Sequence, residues 1–453
     1  MIQLARHWPA WLLTCLPVRF ARKCASQSMA VEPVEPVEPI LAKHMGQLLV
    51  DVSVIHQSDA RTGVQRVVRS LLLQLLQAPP SGYKVCPIFA SRQHGYRYAN
   101  PNFFKTSAQA QVAMGKLMQA EVQVQSGDIF LGLDLAAHLL PRHQAQVLRW
   151  KRSGVKVHVL VYDLLPLQHP EWFNPKTTRN FKRWIKWLAV YADTAVCISE
   201  TVKLELSTWL SASFGLPPTT LLASTIVLGA NIDASAPSHG VPANAQFLLA
   251  RLRNTPTVLM VGTLEPRKGY DQALAAFEQL FEQQGNPFLL VIVGRPGWKT
   301  EALQKRLRTH PQAGKRIFWL EDASDEYLTH LYAACSGVLV ASMAEGFGLP
   351  LIEAALHNKP VLARDLAVFR EINLPEITFF SSENAANLAT AIPAWLQKTQ
   401  TQSSASHRYS ESLGTWKTAA DQLLVSLNLS DKPCREADSA NLVEQALAQE
   451  VVA

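Results

Sequence analysis

Two pairs of charged residues have the types and spacing to do chemistry. Arg267 and Lys268 stand side by side in Gly262-Thr263-Leu264-Glu265-Pro266-Arg267-Lys268-Gly269-Tyr270, between an apolar run and a helical pattern. Adjacent cations beside a helix N-terminus, whose free N–H groups point outward, favour a phosphate or diphosphate. A phosphate charge about 4 Å from such a cation gains up to about 4 kcal/mol in partly shielded surroundings. Glu345 and Glu353 bracket Gly346-Phe347-Gly348-Leu349-Pro350. The glycines let backbone N–H groups approach a ligand, and Pro350 suits a first helical position. Glu353 then lies one turn into the helix, so both carboxylates can face one cleft, where each accepts hydrogen bonds from a hydroxyl-rich ligand. Taken singly, each feature has a bland alternative: an exposed Arg-Lys loop, a favourable first-turn acid.

These loops need rigid elements on either side. Short apolar, β-branched runs at residues 48–55, 84–90, 128–133, 155–162, 194–199 and 224–228 alternate with helical patterns. After a polar passage at 234–242, the rhythm resumes at 257–262, 288–294, 316–320, 337–341, 360–363 and 377–380. Runs without strict alternation, each followed by a helix, read as parallel strands buried on both faces. Two such series predict an α/β protein of two facing, doubly wound parallel-sheet domains, with ligands beyond the carboxyl ends of the strands. The expected division is 1–44, an extended or disordered segment; 45–242 and 243–404, the two domains; 405–429, a helix; and 430–453, a flexible tail. In the first segment, an apolar Trp-containing stretch is broken by Pro9 and Pro17, and a Val-Glu-Pro repeat at 31–39 makes a stiff spacer. It carries no functional weight in this reading, and Met45 is a candidate start of the folded chain.

The 453 residues, 48% hydrophobic and 17% charged, are too many for one ordinary core and too apolar for a disordered chain. Six scattered cysteines without a C-x-x-C pair argue against a disulfide scaffold or zinc ribbon, and no apolar run reaches membrane-spanning length. The net charge of +7 is uneven: ten Lys/Arg face only Asp163 and Glu171 between residues 141 and 190. No nucleic-acid module accompanies this patch. It reads as a solvated basic face or as a peripheral contact with anionic membrane.

Several spaced motifs now add up. Glu345 and Glu353 resemble the E-x7-E motif of retaining GT-B glycosyltransferases of glycosyltransferase family 4. The span 257–371 resembles that family's donor-binding domain throughout, in Glu-Pro-Arg-Lys-Gly, Ile-Val-Gly-Arg-Pro-Gly-Trp, Asp-Ala-Ser-Asp-Glu-Tyr-Leu and Glu-Gly-Phe-Gly-Leu-Pro-Leu-Ile-Glu-Ala-Ala. The resemblance implies a GT-B fold of two Rossmann-like domains, acceptor side first. It assigns Arg267 and Lys268 to the donor diphosphate, Glu353 to ribose hydroxyls, Glu345 to the transferred sugar, and the backbone of Phe347, Gly348 and Leu349 to sugar and phosphates. Arg295 and Phe318-Trp319-Leu320 would lie near the base. In the first half, Gly63 resembles the family's first glycine loop, and Ser199 would bond a donor or acceptor oxygen. Many relatives have His-Asp where Tyr162-Asp163 stands, so Asp163 is assigned to position a hydroxyl, with His169 second.

The stretch Tyr-Asp-Leu-Leu-Pro-Leu-Gln-His-Pro-Glu-Trp-Phe is most similar to bacterial mannosyl- and rhamnosyltransferases of O-antigen and other surface polysaccharides. This implies GDP-mannose as first donor and GDP-rhamnose as second, a glycan or lipid-linked glycan acceptor, and a cytoplasmic location docked at the inner membrane. No Asp-x-Asp sits in a convincing loop, so neither metal nor cofactor is expected beyond the nucleotide-sugar co-substrate. Two other classes stay open: a nonhydrolysing nucleotide-sugar epimerase and a non-catalytic partner in polysaccharide assembly.

Overall fold

The computed structural model describes residues 8–26, 45–100, 120–283, 285–374, 377–381, 384–402 and 413–430. The Val-Glu-Pro repeat and the tail beyond residue 430 lie outside these. The first sheet contains β1 (Gly46–Asp51), β2 (Tyr83–Phe89), β3 (Arg97–Tyr98), β4 (Ile129–Gly132), β5 (Lys156–Val161), β6 (Thr194–Cys197) and β7 (Leu222–Thr225), in the order β3-β2-β1-β4-β5-β6-β7. The second contains β8 (Thr257–Val261), β9 (Leu289–Val293), β10 (Ile317–Leu320), β11 (Gly337–Val340), β12 (Val361–Arg364) and β13 (Ile377–Phe380), in the order β10-β9-β8-β11-β12-β13. Neighbours are parallel except β3, a two-residue strand absent from the sequence reading, which runs antiparallel to β2. The all-buried strands β4, β6, β9 and β11 explain the continuous apolar runs, because helices cover both faces.

The first predicted strand ends early. After Asp51 the chain turns into a short helix, Ser53–Gln57, rather than continuing to residue 55. Asp51 Oδ1 accepts the Ser53 N–H at 2.9 Å, and Asp134 Oδ2 accepts those of Val54 and Ile55 at 2.8 and 2.7 Å. Two buried carboxylates thus cap that turn. The next helix, Gly63–Gln77, begins on a capping box of Thr62 and Gln65 and buries Val67, Val68, Leu71, Leu72 and Leu75 on one face.

The segment before Met45 requires a correction. Residues 8–26 are folded, as helices Ala10–Cys15 and Val18–Ala25. Pro9 and Pro17 stand at their N-caps, where a missing N–H costs nothing, so these prolines start helices instead of breaking one. Leu13, Ala21 and Cys24 enter the same core as Trp184 and Trp187 of helix Pro175–Tyr191. Arg22 Nη1 donates to the carbonyls of Ala189 and Ala192 at 3.0 and 2.7 Å, closing that helix's C-terminal end.

The C-terminal helix, Trp416–Ser426, lies on the first domain against helix Gly63–Gln77, its Trp416, Ala419, Ala420 and Leu423 buried there. Trp416 Nε1 donates to the Asn231 carbonyl at 3.0 Å. No described helix is long and apolar enough to cross a membrane.

Candidate active site

In each sheet the strand order reverses at one point, β1/β4 in the first and β8/β11 in the second, and a crevice opens beyond the carboxyl ends there. The loop after β8 carries Arg267 and Lys268; the loop after β11 carries Glu345. Residues 266–268 form a single tight turn closed by Lys268 N–H to Glu265 O at 3.0 Å, followed by Gly269 at φ +69°. A Cβ on Gly269 would stand 2.2 Å from the Ala341 carbonyl, so only glycine lets the two loops touch. Met343 N–H donates to the Arg267 carbonyl at 2.7 Å and fixes that approach.

The four charged residues singled out by sequence line one cavity of about 270 Å³ between the two domains. Arg267 Nη1 donates to Glu345 Oε2 at 2.5 Å and to the Ala344 carbonyl at 3.1 Å, and its Nε to Glu265 Oε2 at 2.8 Å. Lys268 Nζ donates to Glu345 Oε1, which also accepts the Ser342 hydroxyl at 2.8 Å. Burial alone would raise the Glu345 carboxyl, but Arg267 and Lys268 overcome it and hold it at about 2. Glu345 is therefore an ionised, acceptor-only group at any working pH. Burial works against the Arg267 charge, yet Glu345, Glu265 and Asp163 reverse this and raise its pKa.

Helix Leu349–Leu356 starts at this cavity, with Gly348 at φ +117° as its N-cap and Pro350 in its first turn. A Cβ on Gly348 would meet the Phe369 ring at 2.8 Å. Phe347, Gly348 and Leu349 line the cavity, and Gly63 faces Leu349 from the first domain, its Cβ position 3.7 Å from Leu349 Cδ1. Glu353, 2% exposed, accepts the Tyr332 hydroxyl at 2.7 Å and is ion-paired with Arg66 from the first domain. Arg66 Nη2 also reaches Asp325 Oδ1 at 2.9 Å, and Arg61 reaches Asp325 Oδ2 at 3.1 Å. Arg66, three residues after Gly63, and Asp325, within Asp-Ala-Ser-Asp-Glu-Tyr-Leu, have no role in the sequence reading. Their pairing links positions 259 residues apart, which no local pattern reveals; the signal available was an arginine on the solvent side of an amphipathic helix opening at a cleft.

Asp163 also lines the cavity, accepting the Leu165 N–H at 3.1 Å. Burial pushes its carboxyl up to about 6, only partly opposed by Arg267. Tyr162, where the family resemblance expects a histidine, also lines the cavity, but its buried hydroxyl is taken up by the Leu133 carbonyl at 2.8 Å. His169 stacks on Trp172 at 3.9 Å, bonds Glu171, and does not line the cavity.

Two assignments are corrected. The Ser199 hydroxyl is buried, donating to the Gly346 carbonyl at 2.9 Å and capping Val202 N–H, so it ties the domains together instead of meeting a ligand. Phe318, Trp319 and Leu320 do not line the cavity: Trp319 Nε1 donates to the Gly294 carbonyl and its ring lies under Arg308. Arg295 does line it, half-exposed, with Nη1 donating to the Ala60 carbonyl at 3.2 Å.

The domains meet closely. A Cβ on Gly346 would stand 2.0 Å from the Tyr162 carbonyl, and Glu371 of the second domain accepts the Glu200 and Thr201 N–H groups at 2.9 and 2.6 Å, capping helix Glu200–Phe214 of the first.

Two facing Rossmann-like sheets gripping a charged cleft define the GT-B fold. Similar solved structures are HepE from Anabaena in complex with UDP-glucose (TM-score 0.53, 16% identity, 89% of this chain and 99% of that one) and the sucrose-phosphate synthase from Thermosynechococcus elongatus (TM-score 0.55, 19% identity, 89% and 100%). Residues 246–411 match the model of the glycosyl transferases group 1 family, and the chain carries a domain of that family. Over 389 residues it is 41% identical to the serotype-specific mannosyltransferase WbdA of Escherichia coli, covering 85% of this chain and 47% of that protein. O-antigen chain mannosyltransferase B of Escherichia coli is 27% identical over 164 residues, 36% of this chain and 41% of that protein. The chain thus spans about half the length of the WbdA proteins it matches.

Proposed function

We propose that this chain is a retaining glycosyltransferase that moves a hexose from a nucleotide diphosphate sugar to a glycan hydroxyl in surface-polysaccharide synthesis. Mannose from GDP-mannose is the first donor and GDP-rhamnose the second. The observation that carries this reading is the convergence of Arg267, Lys268, Glu345 and Glu353 in one interdomain cavity; the similarity to O-antigen mannosyltransferases supports the choice of sugar.

In this mechanism the donor diphosphate lies against Arg267, Lys268 and the N-terminus of helix Leu349–Leu356, exchanging with the Glu345 contact that both cations now make. The negative charge developing on the departing diphosphate is then met by fixed cations, with no metal ion needed. Glu345, freed but still ionised, accepts hydroxyls of the transferred sugar, and Glu353 accepts the ribose hydroxyls. The acceptor hydroxyl attacks from the face the diphosphate leaves. Its proton passes to the departing phosphate oxygen, and Asp163 orients it from the opposite wall. The closely apposed domains keep water from the activated sugar. The acceptor is a glycan or lipid-linked glycan, and the enzyme works in the cytoplasm at the inner membrane surface.

Incubating the protein with radiolabelled GDP-mannose and membrane extract tests the reading. Label should appear in lipid-extractable glycan; interconversion of the nucleotide sugar without an acceptor would refute it.

A further inference from the structure

A second cavity, of about 650 Å³, lies away from the cleft on the outer face of the first domain. Its long wall is one stripe of helix Pro175–Tyr191: Lys176, Asn180, Arg183, Trp187 and Tyr191, at the helical repeat that puts side chains on one face. Across from it stand Arg92, from the loop after β2, and His138 and Arg142, from the loop after β4. Thr14 of the N-terminal helices closes one end, its carbonyl accepting Lys186 Nζ at 2.7 Å. Folding of residues 8–26 therefore completes this cavity.

The charge is one-sided. Five Lys or Arg line the cavity and, among the described residues, no Asp or Glu does. Arg92, Arg142, Lys176 and Arg183 have no ion-pair or hydrogen-bond partner among the described residues, whereas most cations of the donor cleft are paired. Arg92 and Lys176 converge on His138 closely enough to depress its pKa further, after burial. The floor has a different character: Trp187 and Tyr191 are buried, and Trp187 Nε1 and Tyr191 Oη also lack hydrogen-bond partners among the described residues. Beside Thr14, Trp11 is 64% exposed on the first helix. Unpaired cations over an aromatic floor, with an exposed indole one helical turn from Thr14, suit a phosphate carried on an apolar chain. Lys176 lies in the first turn of the helix that follows β5, so the cavity begins at the same carboxyl edge of the sheet that presents Asp163.

We infer that the cavity between helix Pro175–Tyr191, the 137–142 loop and the N-terminal helices binds the phosphate of a membrane lipid, holding the first domain on an anionic bilayer with its cleft beside the surface. This deepens the proposed function, which places the acceptor on a lipid, but its test does not depend on sugar transfer.

The test measures co-sedimentation of the full chain with vesicles of phosphatidylcholine alone or mixed with phosphatidylglycerol. Binding is expected only to the mixed vesicles. Replacing Lys176 and Arg183 together by Ala should lower it about fivefold per cation removed. Replacing Arg179 and Lys182, on the same helix but outside the cavity, changes net charge equally and should leave binding nearly unchanged. Melting temperatures of both double variants report folding, and donor affinity by calorimetry reports the separate cleft. Equal losses in the two variants would reduce the site to a diffuse basic surface and overturn the inference, as would absence of vesicle binding. Calorimetric binding of inorganic pyrophosphate that depends on Lys176 and Arg183, without vesicle binding, would equally overturn the lipid source.

Discussion

Replacing Asp163 by Asn separates what this residue does for the reaction from what it costs the fold. Burial raises its pKa from 3.8 to about 6, a shift of about two units, or about 3 kcal/mol at ~1.4 kcal/mol per unit. A raised pKa means that the folded state binds the proton more tightly. The associated stability is complete below 3.8 and is lost as pH rises through 6. At pH 8 the wild-type protein therefore carries a buried charge that the folded state disfavours. Asn has the same shape, stays neutral, and still accepts the Leu165 N–H. The variant is expected to be more stable than wild type by up to about 3 kcal/mol at pH 8, by about half that at pH 5, and by about 0.6 kcal/mol at pH 4. Its turnover at pH 8 should fall by roughly 10², the scale of loss from a misoriented reactant. A donor dianion also meets one fewer negative charge in the cleft, so the variant should bind nucleotide sugar more tightly at pH 8. Paired melting curves from pH 4 to 8, with kinetics at pH 8, provide the assay. A melting difference that does not change with pH, or a variant with wild-type turnover, would refute the account of Asp163.

Lys268→Ala should lower turnover by about 10²–10³, the loss typical of removing one oxyanion stabiliser; near-normal turnover in a donor-saturated assay counts against its role. Glu353→Ala should weaken donor binding and, by leaving the Tyr332 hydroxyl unpaired and Arg66 with Asp325 as its one remaining ion-pair partner among the described residues, destabilise the protein by about 1–3 kcal/mol. Unchanged donor affinity in calorimetry rejects that assignment. Gly346→Ala places a methyl group where the Tyr162 carbonyl lies, so the domains cannot meet as they do here. Turnover should drop at least tenfold while each domain keeps its fold, and an unaltered solution scattering profile would contradict this.

The parallel strands and the cleft's charged loops were legible because each is written locally: continuous apolar runs, glycine-spaced loops and cations beside a helix start. Features made by distant partners were not. Nothing near Arg66 announces Glu353 or Asp325, and nothing near Ser199 announces the Gly346 carbonyl that takes its hydroxyl from the cleft. The N-terminal helices were missed for another reason. Pro9 and Pro17 read as breakers, although Val18, Ala21, Cys24 and Ala25 already trace a buried helical stripe and Pro17 a suitable entry to it. The strand expected to run to residue 55 stopped at Asp51 because Asp134, far along the chain, supplies the cap.

The placement of helix Trp416–Ser426 bears on how the molecule bends. Helix Ala385–Gln402 packs on the second domain against helix Tyr270–Glu282, whereas Trp416, beside Gly229, is back on the first. The chain therefore passes between the halves twice, like a door hung on two straps. One strap would permit twisting as well as swinging; a second resists torsion. Substrate entry then requires the halves to rock about a single line, and each return stroke brings the same groups back into register.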